Sequence, residues 1–182
     1  MLSVGVDTPD GSSDVLVDFL CGAWGGRPGA DGLDGASALG ANLANVPVEE
    51  LEASFPVRFV RYALVPNSGG DGQHRGGLAS VREFEFLADR GVLSIRSDRR
   101  RHPPYGLAGG APGAPSENWL NPEADATLLP TKGTWQLTSG DVVRHVTAGG
   151  GGYGLPADRA PDARRRDLTE GKVVPVDERG HA

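Results

Sequence analysis

Two glycine-rich segments of this sequence hold the residue types best suited to binding an anion. Gly149, Gly151 and Gly154 match the spacing G-x-G-x-x-G after a predicted strand, a pattern that lets backbone amides approach a phosphate or carboxylate closely. The segment Ser68–Gly77 places Arg75 in a turn, where its guanidinium fork could bind the same groups. The candidates for substrate or anion binding are therefore His74, Arg75, Gly149, Gly150, Gly151, Gly152 and Tyr153.

Both segments also have a purely structural interpretation. A dinucleotide fold needs a helix that opens at the third glycine, whereas Pro156 disfavours helical geometry at Leu155. The glycines are equally consistent with a tight loop that crosses another backbone, and Arg75 with a side chain that ties two loops together. The residues alone leave the choice between an anion and a partner backbone open.

A second group of polar residues suits the rim of a pocket or an interface. The residues between 96 and 102 lie beside a rigid Pro-Pro segment, which is typical of such rims. The residues between 42 and 52 border a short helical turn. They could cap this turn, or the two glutamates could act as acid and base; capping needs fewer assumptions. The members are Arg96, Asp98, His102, Asn42, Asn45, Glu49 and Glu52.

The sequence predicts no metal site. His74, His102 and His145 are considered as ligands, and Asp141 with His145 would share one face of a strand, but no H-x-H pair accompanies them. Cys21 is the only cysteine, so neither a thiolate zinc site nor an intrachain disulfide can form. Exposed or singly hydrogen-bonded histidines are the better interpretation.

Composition narrows the class of protein. The chain has 182 residues, a formal net charge of −6, 28 glycines and 14 prolines. Glycine and proline weaken helix interiors but suit turns and bulges, so a helical bundle is excluded and a loop-rich, mainly β fold with short helices is predicted. The acidic balance argues against nucleic acid as a partner. We also expect no membrane span and a cytoplasmic location.

Apolar periodicity predicts the following elements. A buried strand is predicted over residues 15–24, a helical turn over 48–53 and a strand over 57–65. Residues 81–98 and 135–147 each resemble a β-hairpin, since short turns with Gly91 and Gly140 separate alternating strands. A helix is predicted over Pro161–Thr169, with proline in its first turn. Residues 1–14 and 172–182 are predicted as disordered ends, and the whole chain as a fragment of a larger domain.

Read together, these segments resemble the hydantoinase B family, which includes the carboxy-terminal part of ATP-dependent 5-oxoprolinases and a subunit of acetone carboxylases. Five blocks carry the resemblance in order along nearly the whole chain. They are GGRPGADGLDG at 25–35, NLANVPVEELE at 42–52, SGGDGQHRGGLASVREFEF at 68–86, RSDRRRHPPYGLAGGAPG at 96–113 and GDVVRHVTAGGGGYGLPADR at 140–159. They look like the carboxy-terminal portion of a member.

The resemblance implies an enzyme that opens cyclic amides such as hydantoin or 5-oxoproline, by ATP-dependent activation of the amide and then hydrolysis. It implies a hydantoinase A-like ATP-binding subunit and a separate amino-terminal half as partners. The family's His/Asp metal motif lies in that half, so no catalytic residue or cofactor is assigned to this chain, whereas ATP and a divalent metal are expected in the complete enzyme. The isolated chain is expected to be inactive.

Two other functions stay open. One is a non-catalytic scaffold or truncated relic that kept the β framework, and the other is part of a ketone carboxylase of the acetone carboxylase type. A fragment should also expose apolar surface that its missing half would cover. We expect that patch at Val15, Leu16, Phe19 and Trp24.

Overall fold

The computed structural model describes residues 1–7, 12–38, 40–41 and 43–175. Its elements form two antiparallel sheets, of four and five strands, whose side chains share one hydrophobic cluster. The elements are β1 (Leu2–Asp7), β2 (Ser13–Asp18), α1 (Val48–Ser54), β3 (Val57–Leu64), β4 (Ser80–Phe86), β5 (Arg90–Arg96), β6 (Glu117–Leu120), β7 (Thr127–Leu128), β8 (Lys132–Thr138), β9 (Val142–Val146), a 3₁₀ turn (Pro156–Asp158) and α2 (Pro161–Thr169). The predicted mainly β class with short helices is confirmed.

The first sheet has the strand order β2-β1-β5-β8. Leu2, Val4 and Val6 alternate with half-buried residues along β1 and point into the core. Val4 lies opposite Leu16 on one side and Leu93 on the other, so three neighbouring strands bury apolar side chains on the same face. Period-two alternation is what a sheet with one buried face requires.

The second sheet has the order β3-β4-β9-β6-β7. Phe84 of β4 pairs with Phe59 of β3 and Val143 of β9, and all three face the core cluster. The opposite face of β4 carries charge, and Glu83 is bound there by Arg144. Nearly all of β4 is buried, since strands lie on both sides of it.

Both predicted hairpins are wrong. The strands are present, but β4 and β5 lie in different sheets, as do β8 and β9. The two crossings meet at one corner, where the Phe86 amide donates to Asp141 O at 2.8 Å and the Gly140 amide donates to Phe86 O at 2.8 Å. Gly91, the second residue of β5, lies against the ring of Phe86, and a methyl group there would overlap that ring. A short turn can join two strands of one sheet or connect a strand of one sheet to a strand of the other. The sequence of the turn therefore does not determine which strands pair.

Other predictions need smaller changes. The strand predicted over 15–24 is β2, which ends at Asp18 and lies at a sheet edge with only Leu16 of its apolar residues buried. Disorder predicted over residues 1–14 is wrong for β1, and residues 8–11 lie outside the described part. Helix α2 is confirmed over Pro161–Thr169, and α1 extends the predicted turn to Ser54. Of the carboxy-terminal residues, 172–175 are described, and Asn67 donates to Val174 O at 3.0 Å.

The predicted apolar patch is only partly exposed. Val15 and Phe19 are exposed as expected, whereas Leu16 points into the core. Trp24 is half-buried, and its indole N–H donates to Ser37 O at 2.9 Å. In the described part of the chain, no helix is both long and apolar enough to cross a bilayer.

Candidate functional site

The glycine-rich segments converge on one bundle of extended backbone. The Gly149 amide donates to Ala114 O at 3.0 Å, the Gly150 amide to Gly77 O at 2.9 Å and the Gly152 amide to Ala111 O at 2.9 Å. Gly151 completes the set through its carbonyl, which accepts from the Gly26 amide at 2.8 Å. The bundle therefore joins four segments that are distant in sequence: 22–33, 68–78, 104–114 and 148–154.

The bundle is too close-packed for side chains. A methyl group on Gly150 would overlap the Trp24 carbonyl, and one on Gly152 would overlap the Asp71 carbonyl. Glycine is needed here because other backbones pass where a Cβ would lie. The amides of Gly149, Gly150 and Gly152 thus face carbonyls of this chain, which is the backbone interpretation of the motif, and binding of an anion by this loop stays a prediction.

Arg75 is buried among carboxylates next to the bundle. Only 3% of the residue is exposed. Its Nη1 donates to Asp34 Oδ1 at 3.3 Å and to the Gly76 carbonyl, and its Nε donates to Asp167 Oδ1 at 3.4 Å. Its own amide donates to Asp31 Oδ1 at 2.8 Å. The guanidinium is therefore already partnered by groups of this chain.

Arg159 closes the cluster from the other side. Its Nη1 and Nη2 donate to the two oxygens of Asp31, each at 2.8 Å, and its Nε donates to Asp167 Oδ2 at 2.9 Å. Lys172 adds a third cation, with Nζ 3.3 Å from Asp34 Oδ2. We call Asp31, Asp34, Arg75, Arg159, Asp167 and Lys172 the acid–base cluster, in which three cations face three carboxylates.

The cluster favours the charged forms of Asp31, Asp34 and Arg159. Burial raises the pKa of Asp31, but hydrogen bonds from Arg159 and the Arg75 amide outweigh it and the pKa is lowered. For Asp34, burial is likewise outweighed by the Leu78 amide and by the positive charges of Arg75 and Lys172, so its pKa is also lowered. The hydrogen bond to Asp31 raises the pKa of Arg159. These carboxylates are ion-pair partners rather than proton acceptors near neutral pH.

His74 and Tyr153 lie at the edge of the same bundle. Their backbones exchange two hydrogen bonds of 2.9 Å, and their rings stack with centroids 6.4 Å apart. His74 Nε2 accepts from the Gly29 amide at 3.1 Å, and its Nδ1 lies 4.0 Å from Asp31 Oδ1. A shallow cleft of about 300 Å³ lies beside this histidine and is also lined by Asp31 and Arg159. The structure thus brings His74, Arg75, Tyr153 and the glycines together.

The second group of predicted residues lies elsewhere. Arg96 ends β5, and exposed Asp98 lies 3.7 Å from Lys132 Nζ. His102 is exposed. None of them forms a described hydrogen bond or ion pair with the acid–base cluster. Their role at a rim or interface stays a prediction.

The segment before and along α1 does not cap the helix as expected. Pro47 occupies the cap position, and no side chain bonds there. Asn45 instead donates to the Tyr62 hydroxyl at 2.5 Å, and Glu52 Oε1 accepts from the Phe59 amide at 2.6 Å. Glu49 is exposed, and Asn42 lies outside the described residues.

His145 is buried in a polar row that runs across three strands. It lies between Arg82 of β4 and Asn118 of β6, and its Nδ1 is 2.6 Å from Asn118 Oδ1. Asn118 Nδ2 donates to Ser97 Oγ at 2.9 Å, so its oxygen faces the imidazole and Nδ1 carries the proton. Burial, with a smaller effect of the positive amino terminus, lowers the pKa of His145 to about 4.

The donor set does not fit a metal. Within residues 1–7, 12–38, 40–41 and 43–175, no group of three His, Cys, Asp or Glu side chains is placed to hold an ion. The carboxylates that do cluster are engaged by arginine and lysine. We therefore assign no metal-ligating role to these residues.

The acidic partners of Arg75 were missed in the sequence. Asp31 and Asp34 lie in the glycine-rich block at 25–35, and Asp167 lies 92 residues after Arg75. For Asp31 and Asp34, the available signal was the presence of acidic residues in a glycine-rich segment, whereas Asp167 follows a run of three arginines and had no such signal. Arg159 and Lys172 had no comparable signal, because arginine and lysine are common in exposed carboxy-terminal segments.

Comparison with known proteins places this fold in a family. The model of the hydantoinase B/oxoprolinase family matches residues 1–156, and the chain belongs to this family. A protein of Pseudomonas sp. (strain NS671) described as a subunit of a D-/L-hydantoinase is 36% identical over 163 residues, which covers 88% of this chain and 27% of the relative. 5-Oxoprolinase 1 of Arabidopsis thaliana is 37% identical over 138 residues, covering 75% of this chain and 11% of the relative.

Solved structures share the fold. An ATP-dependent caprolactamase from Pseudomonas jessenii superposes with a TM-score of 0.81 at 24% identity, covering 97% of this chain and 32% of that one. An acetone carboxylase superposes with a TM-score of 0.80 at 19% identity, covering 99% and 30%. The chain thus spans about a quarter or less of the two relatives named above, and the predicted resemblance is confirmed.

Proposed function

We propose that this chain is one component of an enzyme that opens cyclic amides, such as hydantoin or 5-oxoproline, at the expense of ATP. The observation that carries the proposal is the family match over residues 1–156, together with relatives described as a hydantoinase subunit and a 5-oxoprolinase.

The contacts support a framework role for this chain within that enzyme. The glycine amides bind carbonyls, and Arg75 is neutralised by Asp34 and Asp167. A close-packed bundle held by buried ion pairs is a rigid platform rather than a set of groups free to react. The catalytic groups, ATP and a divalent metal then belong to the rest of the enzyme, in a hydantoinase A-like partner and the remaining hydantoinase B-like portion.

The proposed reaction explains the need for ATP. An amide resists attack by water because resonance gives its C–N bond partial double-bond character. Transfer of the γ-phosphoryl group of ATP to the amide oxygen removes that resonance. Water then adds to the carbon, the C–N bond breaks with the proton going to nitrogen, and an acyl phosphate remains. A second water hydrolyses this acyl phosphate, so the products are ADP, phosphate and the ring-opened acid. One ATP and two waters are consumed for each ring.

The test is purification of the tagged chain from its source cells, followed by an assay of the complex. We expect an ATP-binding subunit and a hydantoinase B-like protein to accompany the chain. The complex should form ADP and ring-opened acid in equal amounts when hydantoin or 5-oxoproline is added. Omission of the cyclic amide is the matched control for the ADP measurement.

Other outcomes decide between the alternatives. ADP formation that depends on acetone and bicarbonate, and not on a cyclic amide, would instead identify a ketone carboxylase. A chain that is recovered alone and without activity would identify a relic or non-catalytic scaffold. Either result would overturn the proposed hydrolase.

A further inference from the structure

The exposed edges of the two sheets are of two different kinds. At one side, β7 has only two residues and β8 exposes Lys132, Thr134 and Gln136. Short or polar edge strands are how soluble proteins prevent further strand pairing. At the other side, β2 and β3 end the sheets with apolar residues exposed. Within the described ranges, no strand pairs with the outer edge of either.

Strand β2 presents valines to solvent. Val15 is 56% exposed and Val17 is 47% exposed, whereas Leu16 between them is buried. Phe19, directly after the strand, is 55% exposed. Alternation places both valines on the face away from the core, so about half of each residue stays exposed to solvent.

Strand β3 repeats this arrangement in the second sheet. Val60 is 56% exposed, and Tyr62 and Leu64 are also exposed. A register irregularity between Phe59 and Arg61 changes the alternation there. Beyond this irregularity, Tyr62 is paired with Arg82 and Leu64 with Ser80 of β4. Arg82 and Ser80 lie on the same face of β4 as Phe84, which belongs to the hydrophobic core.

The two edges lie on one side of the molecule. Arg82 of β4, next to β3, donates to Asp18 at the end of β2 at 2.5 Å, and the Ser80 hydroxyl donates to Cys21 O at 3.4 Å. A cleft of about 290 Å³ separates them, lined by Leu20 and Cys21 on one side and Tyr62, Ala63 and Leu64 on the other. We call residues 13–21 and 57–64, with this cleft, the β2–β3 margin.

We propose that the β2–β3 margin is the docking surface for the remaining portion of a hydantoinase B-like polypeptide, which pairs a strand with β2, β3 or both. The inference rests on the proposed function, which makes that portion a partner. The length relation supports this occupant: 88% of this chain matches only 27% of the Pseudomonas relative, so most of such a protein lies outside the matched segment and supplies chain that could pack on this margin. Strand addition would pair backbone groups at the outer edges, apart from the Phe59 amide that Glu52 already binds, and would bury the valines.

The test measures amide hydrogen exchange in the isolated full chain and in a chimera. The chimera is the Pseudomonas hydantoinase relative with its matching segment replaced by this chain. We expect exchange of the β2 and β3 amides to slow by about tenfold or more in the chimera, because outward amides gain partners. Val17→Lys and Val60→Lys should reverse the slowing, whereas Leu168→Lys, on equally exposed α2, should not.

Three outcomes would contradict the proposed docking surface. Unchanged exchange in β2 and β3, with central β1 and β4 protected, would show that the margin stays free. Loss of protection in β1 and β4 would show that the chain cannot occupy this place. A dimer of the isolated chain by light scattering, with the margin already protected, would make a second copy the occupant. The readout uses neither ATP nor substrate, so an inactive chimera with a protected margin would count against the proposed function alone.

Discussion

Gly150 is surrounded by backbone from a distant part of the chain, with the Trp24 carbonyl where a Cβ would lie. Replacing Gly150 by alanine should lower the free energy of unfolding by about 1–3 kcal/mol, the usual cost of overpacking. Gly40 is the matched control, because a Cβ there meets nothing within 4 Å, and Gly40→Ala should change stability by less than about 0.5 kcal/mol. Urea unfolding measures both, and equal midpoints for the two variants would contradict the bundle.

His145 makes stability depend on pH. Its pKa is lowered to about 4 from the ordinary 6.5, so between these values the unfolded chain binds a proton that the folded chain excludes. Stability is therefore full above pH 6.5 and falls by about 3 kcal/mol as pH drops to 4. The carboxylates of Asp31, Asp34 and Asp141, whose pKa values are lowered from 3.8, lose their contribution only at still lower pH.

The check is urea unfolding at pH 7 and pH 4.5 for the wild type and for His145→Gln. The variant keeps a hydrogen-bonding group for Asn118 but does not titrate. We expect its loss of stability between the two pH values to be clearly smaller. The same loss in both proteins would show that another group is responsible.

Single residues were predicted unevenly from the sequence. The close approach of Gly149–Gly152 to another backbone was one of two alternatives that the sequence left open, since glycine suits both a crossing backbone and a bound anion. The partners of Arg75 did not follow, because Asp34 precedes it by 41 residues and Asp167 follows it by 92. Local patterns report what a residue can do, whereas its partner depends on the path of the chain.

At the scale of elements, helix α2 is fixed to the glycine bundle by Asp167, which contacts both Arg75 and Arg159. Asp167→Asn leaves two buried guanidinium groups short of a counter-charge, and it should cost about 3–5 kcal/mol of stability. Asp162→Asn on the same helix is the control, because Asp162 pairs with Arg165 in solvent and should cost less than about 1 kcal/mol.

Thermal unfolding and amide exchange of residues 161–169 measure this effect. In Asp167→Asn, exchange in α2 should accelerate more than in the sheets, since the helix loses its anchor first. Stability equal to that of Asp162→Asn would contradict the role given to the acid–base cluster.

The strands themselves could be predicted, but their pairing could not. Alternation of Phe84 and Phe86 with glutamates identifies β4, and Pro161 marks the start of α2. Both turns that looked like hairpins carry the chain from one sheet to the other instead. Two contacts of Phe86 accompany that choice. Its ring covers Gly91 within the same crossing, and its amide binds the Asp141 carbonyl of the other crossing, which the sequence of a single turn does not show.

In the whole molecule, the contacts that stabilise the fold and the proposed docking surface lie in different regions. The glycine bundle and the acid–base cluster use their polar groups internally. In the β2–β3 margin, no described strand pairs with the outer edges of β2 and β3, and apolar side chains are exposed. Under the proposed function, such a framework holds other parts of the enzyme in place, so its loss should abolish activity without removing a reactive group.

The most direct test of the proposed function is deletion of the chain from its source cells, with the rate of 5-oxoproline- or hydantoin-dependent ADP formation measured in the extract. We expect deletion to abolish this rate, the wild type and Gly40→Ala to restore it, and Gly150→Ala to restore far less. An undiminished rate in the deletion strain would contradict the claim that this chain is a working component of a cyclic-amide hydrolase.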